Sequence, residues 1–503
     1  MDTAPSSSSS PTRRGWDRSI PPALRPVVRA YLLGYAYAVG PRLLTLLLQH
    51  VARRRLTRRA NKQTTTAHDT QNGEPFSAAF RGILMRALDW QSFPTFCAAL
   101  VGGTALLERP LAVLLSRSAK NLSDIARRRI SRWLASFIAA WLSLRLLQSK
   151  QTPSFTDTAS GFGPNDPPKT VHYAGRTLDL TLFAVTRALD VIGGELWHRR
   201  KLRRQAAGTW TRAESAISRL TDPAVFALSS GLIMWTWIYL PARLPRAYNK
   251  WIGSAAAVDP RLITALQRCR QGEIVYGRDT GQAPLLGSMC ADYGWPAEWG
   301  DPAKTIPFPC EMVHMGCGPS CELHAVSRFF RSFRWAMVTY LPLSLVLAAR
   351  SSYHHPLRRA LLSAARSSSF LATFITLFYY GVCLARNRLG PRLPMLGGGN
   401  DDDDDDQASR FQRIDGGLCV GAGCVLCGWS ILLEHAGRRK DMALFVAPRA
   451  LAALFPRRYA LAAQWRETLA FAASTAVVFT CVAENRARVR GMMGSVLGTV
   501  LGK

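Results

Sequence analysis

Acidic residues are scarce in this chain of 503 residues, in which 33 Asp and Glu face 64 Lys and Arg and give a net charge of +31. Six of the acids form one run, Asp401 to Asp406, so the rest of the chain is more basic still. Such an excess of positive charge indicates an anionic partner, either nucleic acid or the surface of an anionic membrane.

The sequence also lacks the common motifs of enzyme active sites. It has no Gly-x4-Gly-Lys-Ser/Thr loop, no Gly-x-Ser-x-Gly elbow, no His-Glu-x2-His motif and no convincing pair of acids. A secretory signal peptide is not expected, because no apolar core lies between Arg18 and Pro21. We therefore predict no catalytic or cofactor-binding residues and a non-enzymatic protein.

Long uncharged runs in the sequence favour a membrane over nucleic acid as the anionic partner. A mostly apolar run of about 18 or more residues is typical of a helix that crosses a bilayer. Four runs hold 18 to 20 uncharged residues: 90–107, 223–242, 367–385 and 416–433. Four shorter or arginine-containing runs bring the predicted count to about eight: 27–50, 130–147, 335–349 and 468–483. The prediction is an all-α, polytopic helical membrane protein that contacts the lipid bilayer and anionic headgroups, not nucleic acid.

Composition divides the chain into blocks. The predicted blocks are a disordered Ser/Pro-rich tail (1–22), a first membrane block (27–147), a linker (150–175), an amphipathic helix plus a span (177–249), a cysteine-rich extramembrane loop domain (250–332), two spans (335–386), an acidic flexible linker (396–408) and a C-terminal membrane block with a glycine-rich tail (415–503). The basic amphipathic stretch at 177–203 fits either an anionic membrane interface or a helix packed inside the bundle.

Five potential metal ligands lie within one short segment of the loop domain: Cys310, His314, Cys317, Cys321 and His324. Thiolates and imidazoles are the ligands that zinc prefers, although this spacing matches no standard zinc motif. The same cysteines could instead form a disulfide, with Cys269 or Cys290 as a partner, or remain reduced and structural. Spacing alone leaves these three interpretations open.

Glycines four residues apart form two sets near the C-terminus. In lipid, small residues at this spacing let helix backbones approach closely and could support a homo-oligomer. The two sets are Gly417-x3-Gly421 and Gly494-x3-Gly498-x3-Gly502. The second set also fits a frayed, flexible tail.

The cysteine-rich segment and the span after it resemble a known family. Cys310-x10-Cys321, followed by Tyr340-x-Pro342-Leu343 and by Ser369-Phe-Leu371, is similar to the cysteine-rich region of the transmembrane protein 135 family, across about residues 270 to 390. The upstream half resembles fungal members of that family, and the glycine-rich spans are similar to helices of the mitochondrial Tim translocase-related superfamily. Cys317, inside the Cys-x10-Cys interval, and the acidic run depart from the family pattern.

The resemblance implies a multipass protein of mitochondrial or peroxisomal membranes that acts in membrane and lipid homeostasis without an established catalytic activity. Two alternatives come from the residues themselves. One is a membrane-embedded metal- or thiol-dependent enzyme that uses the cluster from Cys310 to His324. The other is a translocase-like channel built on the glycine-spaced helices.

Overall fold

The structure, a computed structural model, describes residues 20–22, 24–60, 76–118, 121–159, 169–349, 355–392, 404–485 and 488–501. Helices dominate this part of the chain, which confirms the all-α prediction. The chain divides into two compact units, Met1–His198 with Arg458–Lys503, and Arg199–Arg457. Residues 1–19 of the predicted tail and 396–403 of the predicted acidic linker lie outside the described residues.

Seven helical stretches in the described residues are long and apolar enough to cross a membrane, which makes the chain an integral membrane protein. They are Arg25–Val51, Phe76–Ser118, Asp124–Gln148, Cys321–Ala349, Pro356–Leu389, Gln407–Leu433 and Leu461–Glu484. The predicted run at 223–242 is not among them, although it is largely helical. Its apolar residues are diluted by Ser229, Ser230 and Thr236, and Ser230 and Thr236 are buried.

The first unit is built around a row of packed helices. Its elements are α1 (Arg25–Ala60), α2 (Phe76–Leu88), α3 (Phe93–Ser118), α4 (Asp124–Gln148), β1 (Thr156–Ala159), β2 (Lys169–Ala174), the N-terminal part of α5 (Leu178–Ala206) and, after the second unit, β3 (Tyr459–Ala460), α16 (Gln464–Glu484) and α17 (Met492–Val500). Helix α3 packs between α1 and α4, and α4 packs on α16. Phe96, Leu144 and Phe471 are buried at the centre of this core.

The predicted linker at 150–175 contains ordered structure. Strands β1 and β2 pair antiparallel, with Thr156 opposite His172, and β2 also pairs with the short β3. The region therefore forms a small three-stranded sheet rather than an extended connection.

Helix α5 covers the predicted amphipathic stretch and has two unlike faces. Ala184, Ala188 and Val191 are buried on one face. Leu189 and Leu196 are exposed on the other, which becomes basic towards the C-terminal end of the helix. The helix thus packs against protein and also presents an apolar and basic surface.

The second unit contains a helical hairpin and a folded extramembrane cap. Its elements are α6 (Arg212–Tyr239), α7 (Arg246–Ala256), α8 (Pro260–Gln271), α9 (Ala283–Tyr293), α10 (Cys310–His314), α11 (Cys321–Ala349), α12 (Pro356–Leu384), α13 (Asp404–Arg413), α14 (Cys419–Cys427) and α15 (Ala436–Leu454). Helices α11 and α12 pack side by side. They run antiparallel, because Glu322 at the start of α11 pairs with Arg388 just beyond α12.

The cap comprises helices α7 to α10 and has its own apolar core. Leu286, Met289 and Met312 are almost completely buried in it. Cys269 and Cys290, the residues that the sequence offers as disulfide partners, are free thiols buried in the same core. This core holds α10 in place directly before α11.

Candidate metal centre

Four potential ligands meet where α10, α11 and α12 converge. Because α11 and α12 run antiparallel, the first residue of α11, Cys321, lies near the end of α12, where Cys383 is the penultimate residue. The short α10 contributes its first and last residues, Cys310 and His314. Among the described residues, these four are the one group of three or more His, Cys, Asp and Glu side chains that could hold a metal ion.

A tight turn after α10 brings the chain back to the start of α11. Met315 caps α10 in a left-handed conformation, and Gly316 and Gly318 have φ angles of +84° and +85°. Glycine adopts such angles without steric cost because it has no Cβ atom. The two glycines thus explain how Cys310 and Cys321 approach each other across only eleven positions.

Four of the six distances within the group match those of a tetrahedral zinc site. The sulfur of Cys310 lies 3.8 Å from the sulfurs of both Cys321 and Cys383. His314 Nε2 lies 3.5 Å from the sulfur of Cys310 and 3.6 Å from that of Cys383. With zinc–sulfur bonds of about 2.3 Å, two sulfurs at the corners of a tetrahedron are about 3.8 Å apart. All four ligand atoms lie within 4.8 Å of one another, so one ion could contact them all after small side-chain adjustments.

Hydrogen bonds to neighbouring groups orient two of the ligands. His314 Nδ1 lies 2.7 Å from the carbonyl oxygen of Gly318. When Nδ1–H donates to that oxygen, Nε2 is left with a free lone pair, as is usual for a metal-binding histidine. The side-chain amide of Asn387 donates to the sulfur of Cys321 over 3.3 Å, which stabilises negative charge on that sulfur.

Contacts with Cys383 and His314 favour a thiolate at Cys310. Its hydrogen bond with Cys383 lowers the pKa of the Cys310 thiol well below its usual range, and although burial opposes this shift, His314 adds to it. For His314, burial alone would lower the pKa, but the hydrogen bonds with Cys310 and Gly318 raise it. A thiolate is the form of cysteine that binds metals, so Cys310 is prepared for a cation, whereas His314 must be neutral for its Nε2 to bind the ion.

Two residues that the sequence groups with these ligands lie outside the set of four. The sulfur of Cys317 lies 3.6 Å from the hydroxyl oxygen of Ser327. The ring of His324 stacks on that of His314, with centroids 4.5 Å apart and planes at 19°. Each lone pair lies in the plane of its ring. Two nearly parallel rings therefore do not direct their lone pairs at one metal ion.

Cys383 is the ligand that the sequence analysis missed. It lies in an uncharged apolar run, where a cysteine is usually a packing residue. A signal was nevertheless present, because consecutive spans that cross a membrane run in opposite directions. The end of the span at 367–385 must therefore lie on the same membrane side as the start of the preceding span.

A buried ion pair next to this group was also missed. Arg386 and Asp415 are both almost completely buried, and Arg386 Nε lies 2.6 Å from Asp415 Oδ1. Arg386 also donates to the carbonyl oxygen of Phe308, two residues before Cys310. Tyr276 of the cap donates its hydroxyl to Asp415 over 2.5 Å. Burial is the main cause that raises the pKa of Tyr276, and the charge of Asp415 adds to it. This network fastens the cap to the membrane helices beside the metal ligands.

The glycines predicted to pack helices together differ in their surroundings. Gly417 lies at a kink before α14, next to Arg270 and Trp235, and a Cβ atom on Gly421 would lie 3.9 Å from the ring of Trp235. Gly494 and Gly498 are buried on α17, and Gly502 lies outside the described residues. The close helix crossing of α14 is made by another glycine, Gly423, where a Cβ atom would lie 2.7 Å from the carbonyl oxygen of Phe378 on α12.

Comparisons of the chain with protein-family models, with curated proteins and with solved structures found no match.

Proposed function

We propose that this chain is a multipass organelle membrane protein in which Cys310, His314, Cys321 and Cys383 bind one structural zinc ion. The observation that carries the proposal is the mutual distance of the four ligand atoms, all within 4.8 Å of one another. Three sulfurs and one imidazole nitrogen form a donor set that zinc takes in structural sites. The four protein ligands come from three helices, α10, α11 and α12.

The number of ligands favours a structural over a catalytic role. A catalytic zinc ion usually has three protein ligands and keeps a fourth position for water or substrate. Four protein ligands fill every position of a tetrahedral ion, so this site would leave none for a substrate. We therefore propose a non-enzymatic protein, since a metal-dependent enzyme at this site would need an open coordination position that four protein ligands do not leave.

The zinc ion would connect the cap to the membrane hairpin. Cys310 and His314 belong to the cap, whereas Cys321 and Cys383 lie at one end of the hairpin formed by α11 and α12. Binding of a structural zinc ion contributes directly to the free energy of folding, because the unfolded chain does not hold the ligands together. The ion would keep the cap in one position on the membrane surface.

The cellular setting is part of the proposal. We place the protein in a mitochondrial or peroxisomal membrane, in membrane and lipid homeostasis. The support is the resemblance carried by Cys310-x10-Cys321 and the following span, together with the seven apolar helices. The net charge of +31 supports anionic lipid headgroups as partners, and the exposed basic end of α5 is one place for them.

Metal analysis of purified protein tests the zinc site. We expect about one zinc ion per chain in the full-length protein and a loss of zinc when Cys310 or Cys383 is changed to Ser. Cys317→Ser is the matched control, because Cys317 lies in the same turn but outside the four ligands. Protein without zinc after purification in zinc-containing buffer would contradict the proposal, as would equal loss of zinc in the control.

Organelle fractionation tests the setting. The protein should stay in the membrane pellet after carbonate extraction and should copurify with mitochondria or peroxisomes. Protease treatment of intact organelles would then show on which side the cap lies. Recovery of the protein in another membrane would overturn the organelle assignment and leave the zinc site untouched.

A further inference from the structure

The three cysteines of the metal centre are arranged around one central thiol. Cys310 lies 3.8 Å from Cys321 and also 3.8 Å from Cys383, so it can form a disulfide with either after a small side-chain movement. We propose that the site is a thiol switch, in which a hydroperoxide oxidises Cys310 and Cys321 to a disulfide and releases the metal ion. This inference rests on the proposed zinc site and adds its regulation.

Solvent exposure selects the pair that reacts. Cys383 is only 1% exposed, whereas Cys310 and Cys321 are half-buried. A small hydroperoxide therefore reaches Cys310 and Cys321 before it reaches Cys383. Both reactive sulfurs are zinc-bound thiolates in the loaded protein, and the thiolate is the nucleophilic form.

The chemistry has two steps that balance. The thiolate of Cys321 attacks one oxygen of hydrogen peroxide, forms a sulfur–oxygen bond and releases hydroxide, which leaves a sulfenic acid. The thiolate of Cys310 then attacks that sulfur and displaces a second hydroxide, so that the sulfur–sulfur bond forms. Two sulfurs lose one electron each, and the peroxide gains both electrons. The roles of the two cysteines can be exchanged without changing the balance.

The consequence for the fold follows from where the remaining ligands lie. A disulfide between Cys310 and Cys321 joins two residues only eleven positions apart and leaves the link between α10 and α11 intact. Only His314 and Cys383 remain as ligands, and two ligands do not fill the tetrahedral site of a structural zinc ion. The zinc-mediated connection between the cap and α12 is lost, and Cys383 becomes a free thiol.

The positions of arginine and lysine make the test direct. Trypsin cuts after Lys304 and Arg328, so one peptide holds Cys310, Cys317 and Cys321, while Cys383 lies in the peptide 367–386. The proposed disulfide is therefore internal to one peptide and lowers its mass by two hydrogens. A disulfide to Cys383 would join the two peptides instead. In Cys317→Ser, only a disulfide between Cys310 and Cys321 can lower the mass of this peptide by two hydrogens.

The experiment treats zinc-loaded, full-length protein in detergent with hydrogen peroxide and follows zinc release with a chromogenic chelator, together with the peptide masses. We expect release of about one zinc ion per chain, the internal disulfide in both the unmutated protein and Cys317→Ser, and recovery of zinc binding after a thiol reductant. Maleimide labelling of Cys383 should rise in parallel. Retention of zinc, a cross-link to Cys383, or dependence on Cys317 would overturn the switch. Absence of zinc before oxidation would instead contradict the zinc site, and the internal disulfide could still be measured by mass.

Discussion

Cys383 on α12 lies 3.8 Å from Cys310 on α10, although 73 positions of sequence separate them. The contact joins a residue of the extramembrane cap to the end of a membrane helix. The neighbouring pair of Arg386 and Asp415 makes a second connection between the same regions, through the carbonyl of Phe308 and the hydroxyl of Tyr276. The position of the cap thus depends on a metal-ligand group and on a buried ion pair.

Removal of zinc should lower the thermal stability of the protein. A ligand that binds only the folded state contributes about 2.7 kcal/mol at a free concentration of 100 times its Kd. We expect a strong chelator, or the change Cys383→Ser, to lower Tm, as followed by tryptophan fluorescence, since Trp295 and Trp299 pack against the core of the cap. Cys317→Ser should keep the chelator-sensitive Tm of the unmutated protein. A Tm that the chelator does not change would show that the cap does not depend on a metal ion.

In metal-free protein, alkylation of Cys310 by iodoacetamide should be nearly independent of pH between about 6 and 8. Its contact with Cys383 lowers its pKa, so the reactive thiolate is already fully present at pH 6. An ordinary thiol, with a pKa of about 8.5, reacts roughly ten times faster for each pH unit over this range. Mass spectrometry of the peptide 305–328 measures the rate. Free cysteine in the same solution, with its ordinary pKa, is the control and should react faster as the pH rises. The same steep dependence at Cys310 would contradict the lowered pKa.

Removing only one of the two charges in the buried pair of Arg386 and Asp415 should strongly destabilise the protein. Asp415→Asn leaves the buried guanidinium without its counter-charge, and we expect a loss of about 3–5 kcal/mol in the free energy of unfolding. Replacing both residues with apolar ones of similar size, Arg386→Met with Asp415→Leu, should cost less than either single change. Chemical denaturation in detergent measures these differences. Additive losses in the double variant would show that the two charges do not stabilise each other.

The parts of the site that the sequence could predict are those that are local in the chain. Cys310, His314 and Cys321 belong to one short segment, and their residue types alone suggest a metal. Cys383 and Asp415 could not be assigned in the same way, since each becomes a partner only after α12 returns along α11 and the kink before α14 turns towards the cap. The apolar runs predicted the helices well, because the length and composition of a membrane span are local properties. The run at 223–242 shows the limit of this rule, since helix α6, which contains most of it, buries Ser230 and Thr236 inside the protein.

Two glycines of α14 should respond very differently to the same substitution. A Cβ atom on Gly423 would lie 2.7 Å from the backbone carbonyl oxygen of Phe378, and no side-chain rotation can relieve that clash. We therefore expect Gly423→Ala to push α14 away from α12 and to cost about 1–3 kcal/mol, the usual range for overpacking. On Gly421, two positions earlier, a Cβ atom would lie at an ordinary 3.9 Å from the ring of Trp235. Gly421→Ala should be neutral or stabilising by up to about 1 kcal/mol, because alanine favours the helix. Tm values of the two variants in the same detergent compare them directly. Equal destabilisation by both changes would mean that the close approach of α12 and α14 at Gly423 does not exist in solution.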